Sequence, residues 1–131
     1  MVTQTAYGLT KQLDMPFKDA LEHFKAALKT EGFGVLTEID VQDTLKQKLQ
    51  VDFRKYQIIG ACNPPLAHRA LQSELEVGLL LPCNVIVYEE NGGTTVTAFD
   101  PAAVMGLAKN PALEDVAREA KERLTRALES L

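Results

Sequence analysis

The most informative segment of this chain is residues 79–100, with the sequence LLLPCNVIVYEENGGTTVTAFD. Residues 79–89 predict a long strand because the apolar stretch up to Tyr88, broken only by Pro82 and Asn84, is typical of a buried strand. Asn91-Gly92 is typical of a two-residue hairpin turn, and the alternating run 94–99 predicts the returning strand. The segment therefore predicts an antiparallel strand pair at the centre of the fold.

Helices and further strands flank this hairpin. Pro16 opens an amphipathic helix that ends near Gly32, and Asn110-Pro111 precedes a closing helix with a continuous apolar stripe. Alternation predicts three more strands, at residues 2–9, 33–39 and 53–62, with short helices after Asp40 and Asn63. The order β-α-β-(α)-β-(α)-β-β-α predicts an α+β fold: a mostly antiparallel five-stranded sheet, two short inserted helices, and helices packed on one face.

The predicted strand 79–89 is apolar on both faces. One face carries Leu79, Leu81, Cys83, Val85 and Val87, and the other carries Leu80, Pro82, Ile86 and Tyr88 with Asn84 among them. An antiparallel sheet covered on one side only would show polar residues on the other. We therefore expect a second cover, preferably another copy of the chain contacting Leu80, Ile86 and Tyr88, with a bound apolar ligand or the short helices as alternatives.

Composition narrows the class of protein. The 131 residues, 46% hydrophobic and 24% charged, predict a single globular domain spanning 1–131. A net charge of −4 argues against nucleic acid as the partner, since a phosphate backbone requires a basic surface. We find no secretory signal and no membrane-length apolar stretch, and we expect a cytoplasmic protein with two reduced cysteines.

Candidate chemistry lies at two short segments. Cys62 precedes a helix start that Asn63 caps, where free N–H groups favour a thiolate or a bound anion. For each cysteine taken alone we prefer the structural interpretation, a small buried side chain, because buried free cysteines are common. Pro82 cannot donate to a strand ladder and predicts a bulge or an edge, which draws attention to Cys83 and Asn84. Asp100 caps a further helical turn and places a carboxylate there.

The two cysteines suggest a possible joint role, and the sequence lacks the motifs of familiar enzymes. If the strands that carry Cys62 and Cys83 pair, both thiols could face one side as a redox pair or as soft-metal ligands, although the spacing differs from zinc modules. No phosphate loop, nucleophile elbow, zinc-protease motif or dinucleotide fingerprint is present. We therefore assign no catalytic residue. An enzyme of unrecognised class is a further hypothesis that no residue pattern supports.

The segments 60–64 (GACNP), 78–85 (GLLLPCNV) and Asp100-Pro101 resemble the bacterial family called domain of unknown function 302. The resemblance covers nearly the whole chain and includes residues 32–35 and the closing helix. It implies a TATA-binding-protein-like fold, with a curved sheet in the order β-α-β(4)-α, and a homodimer. It implies neither an activity nor a cofactor, and fold similarity does not carry DNA binding with it.

We therefore expect a homodimeric, non-catalytic binding module. A small-molecule ligand would lie near residues 62–64 and 82–84, against Cys62, Asn63, Cys83, Asn84 and Asp100. The alternative is a thiol-redox or soft-metal protein that uses Cys62 and Cys83.

Overall fold

The computed structural model describes residues 1–131 and shows an α+β fold. Its strands are β1 (Thr3–Gln4), β2 (Gly8–Leu13), β3 (Gly34–Asp40), β4 (Tyr56–Cys62), β5 (Cys83–Glu90) and β6 (Gly93–Phe99). Its helices are α1 (Phe17–Thr30), α2 (Val41–Leu49), α3 (Pro64–Ser73), α4 (Pro101–Met105) and α5 (Glu114–Glu129), with 3₁₀ turns at Leu75–Leu80, Gly106–Ala108 and Pro111–Leu113.

All strands form one antiparallel sheet in the order β1-β2-β6-β5-β4-β3. The antiparallel α+β architecture was predicted, but the sheet has six strands and not five. The predicted first strand, residues 2–9, contains β1 and only the first two residues of β2, which continues unpredicted to Leu13. The chain turns between the two strands, where the Thr5 hydroxyl is hydrogen-bonded to the backbone of Gly8. The β5–β6 turn is at Asn91-Gly92 as predicted, and both residues have the positive φ that a type I′ turn requires.

The strand predicted at 79–89 begins four residues later than expected. Residues 75–80 form a 3₁₀ turn, so Leu79 and Leu80 lie outside the sheet and Leu79 is exposed. Pro82 precedes β5 and takes no part in the ladder, and the predicted bulge is instead in β3, between Val35 and Thr37. A run of leucines has no periodicity that separates a strand from a tight helical turn, which explains the error.

The core lies between the sheet and the helices. Alternate residues of β4, β5 and β6 are fully buried there, among them Ile59, Val85, Val87 and Val96. Helix α1 contributes Ala20, Phe24 and Leu28, and α5 contributes the predicted apolar stripe: Val116, Ala117, Ala120, Leu124, Ala127 and Leu128. The strands that carry the candidate residues are therefore held at the centre of a two-layer structure.

Helix starts follow the predicted caps. Side chains of Asp40, Asn63, Asp100 and Asn110 each accept a hydrogen bond from a backbone N–H two or three residues ahead. Asn110 caps the short turn at residues 111–113, so α5 itself begins only at Glu114. No helix is both long enough and apolar enough to span a lipid bilayer.

Candidate functional site

A small apolar cavity of about 30 Å³ lies where the ends of β4 and β5 meet α3, α4 and α5. Twelve of its 15 lining residues are hydrophobic. The two segments singled out in the sequence meet in its wall, although they are about twenty residues apart in the chain: Cys62 and Asn63 from one, and Leu81, Pro82 and Cys83 from the other. The helices close it with Leu66, Met105, Val116 and Ala117, among others.

Asn63 organises the end of β4. Its side-chain oxygen accepts from the Leu66 backbone N–H at 3.3 Å, and its Nδ2 donates to the Glu31 carbonyl at 3.4 Å. Gly32 makes this approach possible: its φ is +86°, and a Cβ there would lie 3.0 Å from Asn63 Nδ2. Asn63 is buried, with 8% of its surface exposed. The hydrogen bonds of its side-chain oxygen and nitrogen connect the start of α3 to the end of α1.

Cys83 is a buried thiol, only 8% exposed. Burial, followed by the nearby Cys62, raises the pKa of Cys83 to about 12. The thiol consequently stays protonated at neutral pH and behaves as a small apolar side chain.

The two cysteines do not occupy facing positions. Cys83 pairs across the sheet with Ala61, and strand alternation therefore directs Cys62 toward the opposite face. Both residues nevertheless border the cavity and both are free, so their joint use as a redox pair or as soft-metal ligands stays a prediction. No three His, Cys, Asp or Glu side chains lie together in a group that could hold a metal ion.

Asp100 lies outside the cavity wall and forms a polar junction. One carboxylate oxygen accepts from the Ala102 N–H at 3.0 Å, and the other accepts from Gln4 Nε2 and from Lys121 Nζ, each at 3.2 Å. Asp100 is 1% exposed, so its charge is balanced inside the protein. These contacts connect β1, α4 and α5.

The sheet has an outer face, opposite the helices, formed by Tyr56, Ile58, Asn84, Ile86 and Tyr88. Ile86 and Tyr88 are half-buried there, and Tyr56 stacks on Tyr88 with ring centroids 5.4 Å apart. Burial, then Tyr88 and Tyr7, raises the pKa of Tyr56. Leu80, predicted beside Ile86 and Tyr88, is in the 3₁₀ turn and packs against the core, so it does not belong to this face.

Asn84 is an exposed residue of the outer face, opposite Gly60 on β4. The position beside it is crowded: a Cβ on Gly60 would lie 2.3 Å from Thr37 Oγ1 and 2.8 Å from Pro82 Cγ. Asn84 is thus separated from the buried Cys83 by the sheet itself, and the predicted site residues divide between its two faces.

Sequence reasoning missed the helical half of the cavity. Met105 and Val116 belong to patterns that indicate only burial, and nothing in the local sequence connects them to residues 62–63. Lys121 was also missed, because its partner Asp100 is 21 residues away in the chain. Long-range partners of this kind leave no periodic signal.

Comparison with known proteins gives two positive findings. The family model described as "Domain of unknown function DUF302" matches residues 9–131. The crystal structure of an uncharacterized conserved DUF302 protein from Bacillus stearothermophilus is similar to this structure, with a TM-score of 0.89 and 34% sequence identity over 95% of this chain and 98% of that chain. No curated protein matches.

Proposed function

This chain belongs to the DUF302 family, and we propose for it a role as a non-catalytic binding module that takes an apolar group of a small molecule into the cavity at the ends of β4 and β5. One observation carries the proposal: two segments distant in sequence wall a single, almost wholly apolar cavity. Ligand sites of proteins are usually concave, mostly apolar and few in number.

Local chemistry supports binding more than bond-making at this cavity. The thiol of Cys83 is held neutral, and the Asn63 amide is bonded at both ends. Every buried side-chain nitrogen or oxygen has a hydrogen-bond partner. An apolar guest would therefore enter without leaving a buried polar group unpaired, which is the costly outcome in an interior.

We also infer that the working unit is a homodimer that buries the outer face against a second copy. The five residues that define the outer face are uncharged, and Glu90, the next residue of β5 on that side, is paired with Arg54. Two copies can therefore meet through it without like-charge repulsion, and the half-exposed Ile58, Ile86, Tyr56 and Tyr88 would lose contact with water. A TATA-binding-protein-like arrangement of the sheet, implied by the family resemblance, belongs to the same proposal.

The test of the binding role is native mass spectrometry of protein purified without added metal or reductant. We expect a dimer mass that includes a retained small organic molecule. A mass that shows bound metal would favour the soft-metal alternative instead. A bare monomer at micromolar concentration would contradict the homodimer, and a bare dimer that gains no mass with any apolar additive would contradict the binding role.

The outer-face interface is tested by Ile86→Glu. A charge buried against the same charge of the second copy destabilises association, so sedimentation velocity is expected to show monomer. Leu75→Glu is the matched control, because Leu75 is 83% exposed and lies in the 3₁₀ turn away from this face. An Ile86→Glu protein that still sediments as a dimer would show that the interface lies elsewhere.

A further inference from the structure

We propose that the ligand is a small amphiphilic anion, an alkyl chain ending in a carboxylate or similar oxyanion, with its head in a cationic groove and its tail in the apolar cavity. This inference rests on the proposed function and adds the chemical class of the ligand. It is carried by the adjacency of two concave sites with different chemistry.

The groove, of about 520 Å³, lies between α5 and the segment from α4 to Pro111. Met105 and Ala117 belong to the walls of both the groove and the cavity. The 30 Å³ cavity has room for about one water molecule or methyl group, so a longer tail requires the two spaces to join. The shared wall is the place where they can do so.

Met105 is the movable part of that wall. It is the last residue of α4, a helix of five residues, and only 7% of it is exposed. A methionine side chain is unbranched and changes rotamer at low cost, whereas Ala117, in the first turn of α5, has no side-chain rotamer to change. Rotation of Met105 toward solvent would open the apolar cavity into the groove.

The groove is the more cationic space. Its wall carries Lys109, Arg118 and Lys121 against a single acidic residue, Glu114, in a chain whose net charge is −4. Lys121 is held by the buried Asp100. Arg118 pairs only with the exposed Asp115, and Lys109 has no ion-pair partner. An incoming carboxylate can thus pair with Lys109 and compete for Arg118 without breaking a buried contact.

A series of ligands that differ in chain length and in head group separates the apolar contribution to binding from the charged one. Isothermal titration calorimetry with butanoate, hexanoate and octanoate is expected to show affinity rising by about fourfold for each added methylene that enters the cavity. Octan-1-ol, with the same chain and no charge, is expected to bind more weakly than octanoate.

Two pairs of variants locate the head and the tail. Lys109→Glu is expected to weaken octanoate about fivefold and to leave octan-1-ol unchanged. Lys48→Glu is the matched control, since Lys48 is an exposed lysine on α2 without an ion-pair partner. Met105→Ala widens the shared wall and is expected to tighten octanoate binding. Met105→Leu keeps the volume but has a branched, less flexible side chain, and it is expected to bind octanoate more weakly than the parent. Melting temperatures confirm that both variants fold.

The outcomes distinguish this inference from the proposed function. Octanoate binding that depends on chain length and on Lys109 supports the inference. Equal binding of octanoate and octan-1-ol, insensitive to Lys109→Glu, overturns the anionic head but leaves the apolar site intact. Absence of binding of both compounds to the parent protein and to Met105→Ala overturns the inference together with the proposed function.

Discussion

Gly60 lies where the two motif segments are in close contact. A methyl group there would overlap the Thr37 hydroxyl and the Pro82 ring. We expect Gly60→Ala to destabilise the protein by about 1–3 kcal/mol, because the crowded backbone must shift. Chemical denaturation measures this change in the free energy of unfolding.

Two further variants show whether crowding is the cause at Gly60. Gly34→Ala is the control, since Gly34 also lies in a strand and a Cβ there meets no atom within 4 Å. It should be close to neutral. Adding Thr37→Ala to Gly60→Ala removes the nearer obstacle and should restore part of the stability. An equal loss of stability from Gly34→Ala and Gly60→Ala would contradict crowding as the cause.

Cys83 predicts a loss of stability at alkaline pH. Burial in the folded state raises the pKa of this thiol from 9.0 to about 12. The protonated thiol therefore makes its full contribution to the free energy of unfolding below pH 9. That contribution is lost between pH 9 and 12, because in this range the thiol ionises in the unfolded chain but not in the folded one. By pH 11 the parent protein should lose about 2–3 kcal/mol more than Cys83→Ala does. Urea unfolding of both proteins at pH 8 and pH 11 measures the difference, and parallel losses would mean that Cys83 is not desolvated.

Single residues were predictable where the interaction is local. The caps at Asp40, Asn63, Asp100 and Asn110 depend on neighbours two or three positions ahead, and the sequence displays such pairs directly. The second role of Asn63, its bond to Glu31, and the pairing of Asp100 with Lys121 join distant segments. Those contacts emerge only once the chain is folded.

At the scale of elements, a lysine of β2 forms hydrogen bonds with the C-terminal end of α5. Lys11 Nζ donates to the carbonyls of Leu128 and Glu129 in the last turn of α5 and to that of Leu131 just beyond it. Carbonyls at the end of a helix lack the intrahelical partners of those in its middle, and a side-chain donor can satisfy them. A cation at this end also interacts favourably with the helix dipole. Through Lys11, strand β2 holds the helix that supplies much of the cavity wall.

Removing this fastening should loosen the end of α5. We expect Lys11→Met to cost about 1–2 kcal/mol and to speed amide hydrogen exchange in the last turn of α5. Lys18→Met is the matched control, because Lys18 is exposed on α1 and has no hydrogen bond from its side chain. Unchanged exchange in Lys11→Met would contradict the role assigned to this lysine.

Helices with a strong apolar periodicity were predicted well, but the ion pairs on their exposed sides were not. The stripe of α5 is buried as expected. A glutamate stands four residues before each of Arg118, Arg123 and Arg126 on the outer side of α5. Only the Glu119–Arg123 pair forms, whereas Arg118 pairs with Asp115 and Arg126 reaches Glu31 near the end of α1. Exposed ion pairs differ by little energy, so sequence spacing does not select among them.

At the scale of the whole molecule, the two-layer plan follows from the alternation of the strands and the stripes of α1 and α5. The apolar character of both faces of β5 was visible in the sequence through Val85 and Val87 on one side and Ile86 and Tyr88 on the other. The cavity was not, because it is a residual space among five elements and depends on how they pack. A cavity of this size leaves no signal in the sequence, because it depends on how side chains from distant segments pack.

The central claim is that the apolar cavity at the ends of β4 and β5 is a ligand site, and methyl-resolved NMR with octan-1-ol tests it most directly. The account predicts concentration-dependent shifts of the methyl groups of Leu66, Leu81 and Met105, which line the cavity, while Ile58 and Ile86 on the outer face stay unchanged. Shifts confined to Ile58 and Ile86, or no shifts up to saturating octan-1-ol, would contradict it.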